Sequence, residues 1–495
     1  MLILGITGGF ATENRQLEPP LDAHSFHDAA ACLIQGGSLL AGIEEERFTR
    51  IKKTNFFPLN AIRACLDTAG VSASRIDAVG YYFGEKESDA ILNTVYVQNN
   101  SVSTTYSRDF ILSGLAEACG LEFPAERLTH VPHHLAHAAS GFIRSGFTKA
   151  LVAVFDGGNG NDISTTIYAA EHDKLVELVT YPVAKSLGRL YLQGTQLIGY
   201  RFGDEYKVMG LAPYGDAATY RAAFKELYTL HDFGDYTIFP DSTLDPMLTS
   251  ANLLAPKFLA HGLVPRRKGE PFAQQHMDFA AALQETTENI AMHVLRHWAR
   301  TTGMRNLCLS GGVAHNSTLC GVILRSALFE QVYVHPVSHD AGAADGAALV
   351  VGQSLGGKVY PQPRLRTASL GPGLGSAEHI EKTLRRWDAF ISFERQADIV
   401  AATAEVIAAG HIVGWAQGRS EFGPRALGNR SILADPRPPE NKDRINAAIK
   451  NRESFRPFAP VVTRAAAGTY FDLPATTANY DFMSYIVPVR QERKA

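Results

Sequence analysis

One unit occurs twice in this chain and constrains its fold more than any other feature: an apolar strand that delivers its last residue into a glycine turn. MLILGIT runs into Gly8-Gly9, and LVAVF runs through Asp156 into Gly157-Gly158. Short leucine-rich and β-branched runs of this kind read as buried strands, and the glycines after them supply a tight turn. Their recurrence in successive halves points to a duplicated α/β architecture. A polar excursion, ATENRQLEPPLDAHSF, follows the first unit and leads to His27-Asp28. AAACLIQGGSLLAGIEEERF comes next, and its Gly36-Gly37 pair predicts a hairpin.

Further elements follow from patterning. Pro58 opens a helix, LNAIRACLDTAG, that Gly70 closes at the left-handed C-terminal position. IDAVGYYF reads as a strand, and VPHHLAHAAS, residues 131–140, begins a small-residue helix after a short strand. Asp278 to Gly303 has apolar residues at helical spacing and a terminal glycine, which predicts a long amphipathic helix. NLCLSGGVAHNS and VYVHPVSHDAGAADGAAL each read as strand, turn and helix. The Pro- and Gly-rich stretch from Gln353 to Ser376 lacks periodicity and places a domain boundary there. The expected units are residues 1–355, a linker at 356–375, and 376–495. The last unit alternates helix (Ser376–Trp387, Gln396–Gly410), the strand HIVGWAQ and arginine-bearing loops.

The 495 residues allow two or three domains, with average apolar and charged fractions of 45% and 20%. A formal net charge of -3 does not advertise nucleic-acid binding, so any phosphate affinity must come from local clusters. Five widely spaced cysteines form neither a disulfide framework nor a Cys-x-x-Cys metal site. The N-terminus lacks the basic lead of a signal peptide, and no stretch matches a membrane span. A cytoplasmic small-molecule enzyme is the expectation, with a homodimer left open.

His133 and His137 lie four apart, on one face of a helix, and so can share one metal. No glutamate adjoins the first histidine, which removes the general base of a zinc protease. Such a pair also serves as a core or cap pair. Asp156 in FDGGNG and Asp340 in SHDAGAADG, both in glycine-containing segments, are available as oxygen ligands, and a mixed His/Asp set suits divalent iron, manganese or zinc. His134 and His339 read as supporting or structural neighbours. The turns DGGNGND and SGGVAHN can present backbone N–H groups to phosphate oxygens, although each is equally an ordinary turn; GDEYKVMG adds Lys207. Neither a Walker A loop nor a dinucleotide fingerprint is present. EEERFTRIKK reads as a solvated face. His27 beside Asp28 can act as base and orienter toward an alcohol.

GRSEFGPRALGNRSILADPR and KNRESFRPFAP place Arg419, Arg425, Arg430, Arg437, Lys450, Arg452 and Arg456 on glycine- and proline-punctuated segments. Guanidinium forks converging on turns match phosphate or carboxylate oxygens.

HDAAACL, EEERFTR, HHLAHAAS, the FDGG turn, DEYKVMGLAPYG, SGGVAHNS, SHDAGAADGAAL and the two arginine motifs resemble, in order and spacing, the O-carbamoyltransferases of natural-product biosynthesis, the tobramycin, cephamycin and nodulation-factor type. That resemblance implies an N-terminal duplicated actin-like ATPase domain and a C-terminal α/β carbamoyl-adenylate-forming (YrdC-like) domain. It implies that ATP and carbamoyl phosphate are substrates, with Mg2+ as a further option, and that a hydroxyl of a small molecule is the acceptor. His133, His137 and Asp340 would be metal ligands with Asp156 close by, iron first among the candidate metals. Lys52, Asp156, Gly157, Gly158, Lys207, Gly311, Gly312 and Asn316 would surround the nucleotide. Arg419, Arg425, Arg430, Lys450, Arg452 and Arg456 would hold carbamoyl phosphate, with Arg419 and Arg452 catalytic. His27 and Asp28 would serve the acceptor hydroxyl, whose pocket is expected within residues 81–106 and 224–265.

Two departures from the family pattern stand out. NGND follows the FDGG turn where an acidic residue is usual, and the chain stops at YIVPVRQERKA where family members continue, so the C-terminal domain is expected to be incomplete. The alternatives are a tRNA threonylcarbamoylation component and a catalytically inactive actin-like nucleotide-binding module.

Overall fold

Every residue of Leu2–Thr7 (β1) is buried, and this strand is the spine of the first half. It pairs antiparallel with β2 (Ala30–Gln35), which turns at Gly36-Gly37 into antiparallel β3 (Ser38–Glu44). On its other edge β1 pairs parallel with β4 (Ala78–Tyr81), itself parallel to β5 (Leu128–His130), giving the order β3-β2-β1-β4-β5. Parallel neighbours need long crossovers. Leu59–Ala69, ending at Gly70 in the left-handed region, lies on the crossover from β3 to β4.

The chain then repeats this plan. β6 (Lys149–Phe155) pairs antiparallel with β7 (Ile163–Glu171), and β7 with β8 (Lys174–Pro182). After a small hairpin, β9 (Tyr228–Leu230) and β10 (Tyr236–Ile238), and the long helix Gln274–Thr302, β11 (Asn306–Ser310) pairs parallel with β6, and β12 (Gln331–Val334) parallel with β11. The order β8-β7-β6-β11-β12 reproduces that of the first sheet. The duplication expected from the two strand-to-glycine units is therefore present in the topology. The computed structural model describes residues 1–12, 25–99, 101, 103–158, 162–239 and 252–494. Most of the polar excursion, Asn159–Asn161 of NGND, and residues 100, 102 and 240–251 of the expected acceptor segments lie outside the described residues.

Each half ends in a helix that follows its fifth strand, His133–Ile143 in the first and Asp340–Ser354 in the second. These helices are exchanged: Asp340–Ser354 lies on β1, β2 and β4, His133–Ile143 lies on β6 and β11, and the two pack on each other between the sheets. The small residues of HHLAHAAS and DAGAADGAA permit this. A side chain at Gly346 would strike the Ala136 carbonyl, and one at Gly5 the Ala344 carbonyl. Buried Arg144 clamps the two helices by donating to both oxygens of Asp345 at 2.7 and 2.5 Å, while its third nitrogen reaches the Gly37 carbonyl at 2.6 Å. Removing one partner of such a buried pair costs about 3–5 kcal/mol, because the other charge is stranded.

The Pro- and Gly-rich segment after Ser354 is a strap laid along the first sheet. Leu365 donates to the Arg144 carbonyl at 2.9 Å and Gly42 to the Leu370 carbonyl at 3.1 Å. Beyond it, Val413–Ala416 (β13) and Arg430–Leu433 (β14) form an antiparallel ribbon. The helices Ala377–Arg385 and Ile399–Ala408 bury none of their residues. Thr477–Ala478 (β15) returns to pair with β12, so the second sheet has six strands. Asn479 brackets Val334 from both sides through its amide, at 3.3 and 3.0 Å.

EEERFTRIKK departs from a solvated face. Glu44 and Glu45 are 3% and 2% exposed. Glu45 accepts from Asn60 and Ala61 at the start of the Leu59–Ala69 helix, and Glu44 accepts the Gly423 N–H at 2.9 Å. Backbone donors at a helix start and a loop take these carboxylates out of water, information that composition does not carry. The five cysteines are free thiols and four of them are buried. Among the described residues no helix is long and apolar enough to cross a membrane.

Candidate functional site

The crossing of the two exchanged helices brings together side chains far apart in sequence. His133 and His137 face the same way from one helix, Asp340 is the first residue of the other, and Asp156 stands at the end of β6. One ligand atom from each of the four lies within 4.8 Å of all the others. His133 Nε2 is 3.1 Å from Asp156 Oδ2 and 3.7 Å from Asp340 Oδ1, and His137 Nε2 is 3.5 Å from Asp340 Oδ1. All four residues are buried.

Burial opposes charge on Asp156, but the hydrogen bond and charge of His133 prevail and hold its carboxyl far below the ordinary range. Burial also opposes the positive charge on His133, which Asp340 and Asp156 more than offset, raising its pKa. Neither ring nitrogen of His137 has a hydrogen-bond partner, nor has Nδ1 of His133. Buried polar atoms left without partners are costly. Two imidazoles and two carboxylates with unused lone pairs are the donor set of a divalent iron, manganese or zinc ion, so the residues fit such a metal.

A second cluster adjoins the first. His27 Nδ1 is 2.7 Å from Asp28 Oδ2, the same oxygen accepts from Lys53 Nζ at 3.0 Å, and His339 Nε2 is 3.8 Å from Asp28 Oδ1. His27 also lies 3.9 Å from Asp340, which links the two clusters. Burial works against the Asp28 carboxylate, yet Lys53 and the flanking histidines hold its pKa well below the usual value. Burial likewise disfavours a charged His27, and Asp340 and Asp28 reverse this, so its pKa rises. The His27 side chain is 21% exposed, and the Phe202 ring stands over it with centroids 5.1 Å apart.

Of the residues expected around a nucleotide, Asp156, Gly157, Gly158, Gly311 and Gly312 meet at the ends of the neighbouring strands β6 and β11. Gly311, with φ 86°, lets the turn pass against the Phe155 carbonyl, and Gly312 donates its N–H to Asp156 Oδ1 at 3.1 Å. The other three have partners of their own. Asn316 caps the Ser317–Arg325 helix through Leu319 and exchanges hydrogen bonds with Gln284. Lys52 is 80% exposed and paired with Glu46 at 2.5 Å. Lys207 pairs with Asp204 at 2.8 Å and lies 3.7 Å from Glu453.

The arginines divide into two sets. Arg419 spends its guanidinium on the carbonyls of Leu40, Leu370 and Gly371, and Arg430 on those of Gln417, Gly418, Asn429 and Pro372. Arg437 is paired with Asp435 at 2.6 Å. Arg425, Lys450, Arg452 and Arg456 instead converge. Partial burial comes first and mutual repulsion second in pushing Arg425, Lys450 and Arg452 below their ordinary pKa values, with Arg456 a repelling neighbour of all three. Cations held near one another in this way raise the local positive potential. The sequence alone does not single out Lys53, Phe202 or Glu453. The dipeptide Lys52-Lys53 was visible, but which lysine turns inward depends on the backbone, and Lys53 sits in the left-handed region with φ 54°.

Residues 21–349 match the carbamoyltransferase N-terminus family and residues 404–495 the carbamoyltransferase C-terminus family. Nodulation protein NolNO of Sinorhizobium fredii is 45% identical over 497 residues, covering 100% of this chain and 71% of that protein. Nodulation protein NolO of Bradyrhizobium diazoefficiens is 47% identical over 361 residues, covering 73% of this chain and 63% of that protein. Among solved structures, full-length HypF in the phosphate- and nucleotide-bound form aligns with a TM-score of 0.38 at 14% identity, over 72% of this chain and 56% of that one. Component A of Acidaminococcus fermentans (R)-2-hydroxyglutaryl-CoA dehydratase aligns with a TM-score of 0.37 at 12% identity, over 71% of this chain and 97% of that one.

Proposed function

The chain belongs to the carbamoyltransferase family, and from that premise we propose that it is an ATP-dependent O-carbamoyltransferase acting on a hydroxyl of a small-molecule natural product. In this reading water cleaves the P–O bond of carbamoyl phosphate, giving carbamate and inorganic phosphate, and a carbamate oxygen then attacks the α-phosphorus of ATP, forming carbamoyl adenylate and expelling pyrophosphate. The acceptor oxygen then attacks the carbonyl carbon of the carbamoyl adenylate, and AMP leaves. Arg425, Lys450, Arg452 and Arg456 bind the phosphates in the first step, since forks and ammonium groups offset the charge that builds on phosphoryl oxygens.

The second step is the work of the N-terminal residues. His27, oriented by Asp28 and partly open to solvent, takes the proton of the acceptor hydroxyl, and Lys53 keeps Asp28 ionised. His133, His137, Asp156 and Asp340 would hold the divalent metal, which supplies Lewis-acid polarisation of the reacting group. Phe202 covers one side of His27, and a reactive adenylate needs such protection from hydrolysis.

The observation that carries this proposal is the contact between the two clusters, a base-and-orienter pair 3.9 Å from a four-residue donor set. The test is to incubate the chain with ATP, 14C-carbamoyl phosphate and a panel of polyols and glycosides, following pyrophosphate and labelled carbamate ester. Carbamoyl-phosphate-dependent pyrophosphate release with label in an ester supports the reading. Nucleotide binding without turnover supports an inactive actin-like module, and label in tRNA a threonylcarbamoylation component.

A further inference from the structure

The two motifs DEYKVMGLAPYG and KNRESFRPFAP meet in space, and one carboxylate stands at the centre of their contact. Glu453, on the arginine loop, accepts from the Tyr200 hydroxyl at 2.8 Å through Oε1. The same oxygen lies 3.7 Å from Lys207 Nζ, and Oε2 lies 3.9 Å from Arg456 Nη1. Aromatic faces complete the surround. Lys207 Nζ stands 4.9 Å from the Tyr200 ring centroid, and the Arg456 guanidinium 4.7 Å from that of Tyr206.

The charge pattern makes this carboxylate unusual. Arg456 repels Arg425, Lys450 and Arg452, and Glu453 acts on Arg452 as an opposing charge. A carboxylate that accepts from one hydroxyl and has an ammonium and a guanidinium within 4 Å, the ammonium shared with Asp204, occupies a place a phosphate could take. Its side chain is 25% exposed, so the seat it occupies is open to solvent on one side.

We propose that the Glu453 carboxylate is a tethered occupant of an anion seat, formed by Tyr200, Lys207 and Arg456, that a phosphate group of the substrate takes over. The inference rests on the reading of the arginine loop as a phosphate site and goes beyond it in naming an internal competitor. Glu453 neutralises the cluster while it is empty. It also ties residues 450–457 to the Glu205–Leu211 helix, so the arriving phosphate both fills the seat and releases that tie.

The experiment is calorimetric titration of the full chain with inorganic pyrophosphate at low ionic strength. Glu453→Gln and Glu453→Ala should each tighten binding, by about tenfold, because a competing charge within contact distance is gone. Glu381→Gln, which alters a distant exposed ion pair with Arg385, should leave the affinity unchanged. Equal or weaker binding by both Glu453 variants, with the wild type still binding, overturns the proposal, since the carboxylate then positions the cations instead of competing for them. If Arg456→Ala and Lys207→Ala leave the wild-type affinity unchanged, pyrophosphate binds elsewhere, and the phosphate reading of the loop falls together with the seat.

Discussion

His137 and Asp340 stand 3.5 Å apart, imidazole nitrogen to carboxylate oxygen, although they come from opposite halves of the duplicated chain. Each sits near the start of the helix that follows the fifth strand of its half, so the pseudo-symmetry of the fold aims two helix N-termini at one point. The halves are not chemically equivalent there, because one contributes imidazoles and the other carboxylates.

His137→Ala should therefore abolish metal binding. It deletes a donor outright, and loss of a mere supporting group already costs about 10- to 100-fold in affinity, so a weakening beyond about 100-fold is expected. Equilibrium dialysis with Zn2+ or Co2+ measures it. Pyrophosphate release should survive in this variant while carbamoyl transfer stops; loss of both together would argue against separate sites.

His27→Ala should slow transfer by about 100- to 10,000-fold, the range general-base removal produces. Asp28→Asn should act in the same direction, because it removes the carboxylate that His27, Lys53 and His339 share. Neither change touches the arginine loops. Pyrophosphate release measured beside ester formation separates the effects, and an unchanged transfer rate in His27→Ala removes the base assignment.

His130 supplies a pH prediction. Burial first, with Arg108 assisting and Glu85 opposing, lowers its pKa from 6.5 to about 4, and neither ring nitrogen has a hydrogen-bond partner. The unfolded chain binds this proton more readily than the folded one. The stability His130 contributes is thus complete above pH 6.5 and is lost as pH falls toward 4. Near pH 5 the loss from this residue is about 2 kcal/mol. Urea unfolding at pH 7.5 and near pH 5 should show His130→Phe losing that much less than the wild type. Equal losses would mean that other groups carry the acid sensitivity.

Much of this molecule was legible in its sequence because the decisive patterns are local. Gly8-Gly9 and Asp156-Gly157 marked equivalent strand ends, and the four-residue spacing of His133 and His137 placed both on one helix face. What was not legible depends on long-range backbone geometry. Glu44 and Glu45 read as solvated, yet their partners, Gly423 and the Asn60–Ala61 amides, come from distant chain or from an angle that no local pattern encodes. Past the helix end at Ser354 the stretch up to Ser376 lacks periodicity because it forms no regular element, but it is pinned by backbone hydrogen bonds. Arginine-rich motifs announce guanidinium groups without saying which of them are spent on carbonyls.

That division sets the last prediction, a contrast between Arg452 and Arg419. Arg452 bonds to the Asn446 side chain at 2.6 Å and the Pro457 carbonyl at 3.3 Å, lies over Phe458, and belongs to the converging cations. Arg419 ties the loop carrying Glu421 and Phe422 to β3 and to the strap, through three backbone carbonyls. Arg452→Ala should therefore abolish carbamoyl-phosphate-dependent pyrophosphate release with little change in melting temperature. Arg419→Ala strands partly buried carbonyls at about 1–3 kcal/mol and should lower the melting temperature and open residues 366–430 to limited proteolysis. The two variants must fail differently. If Arg419→Ala loses pyrophosphate release at unchanged stability while Arg452→Ala keeps it, the two residues have exchanged roles and the anion site lies against the strap.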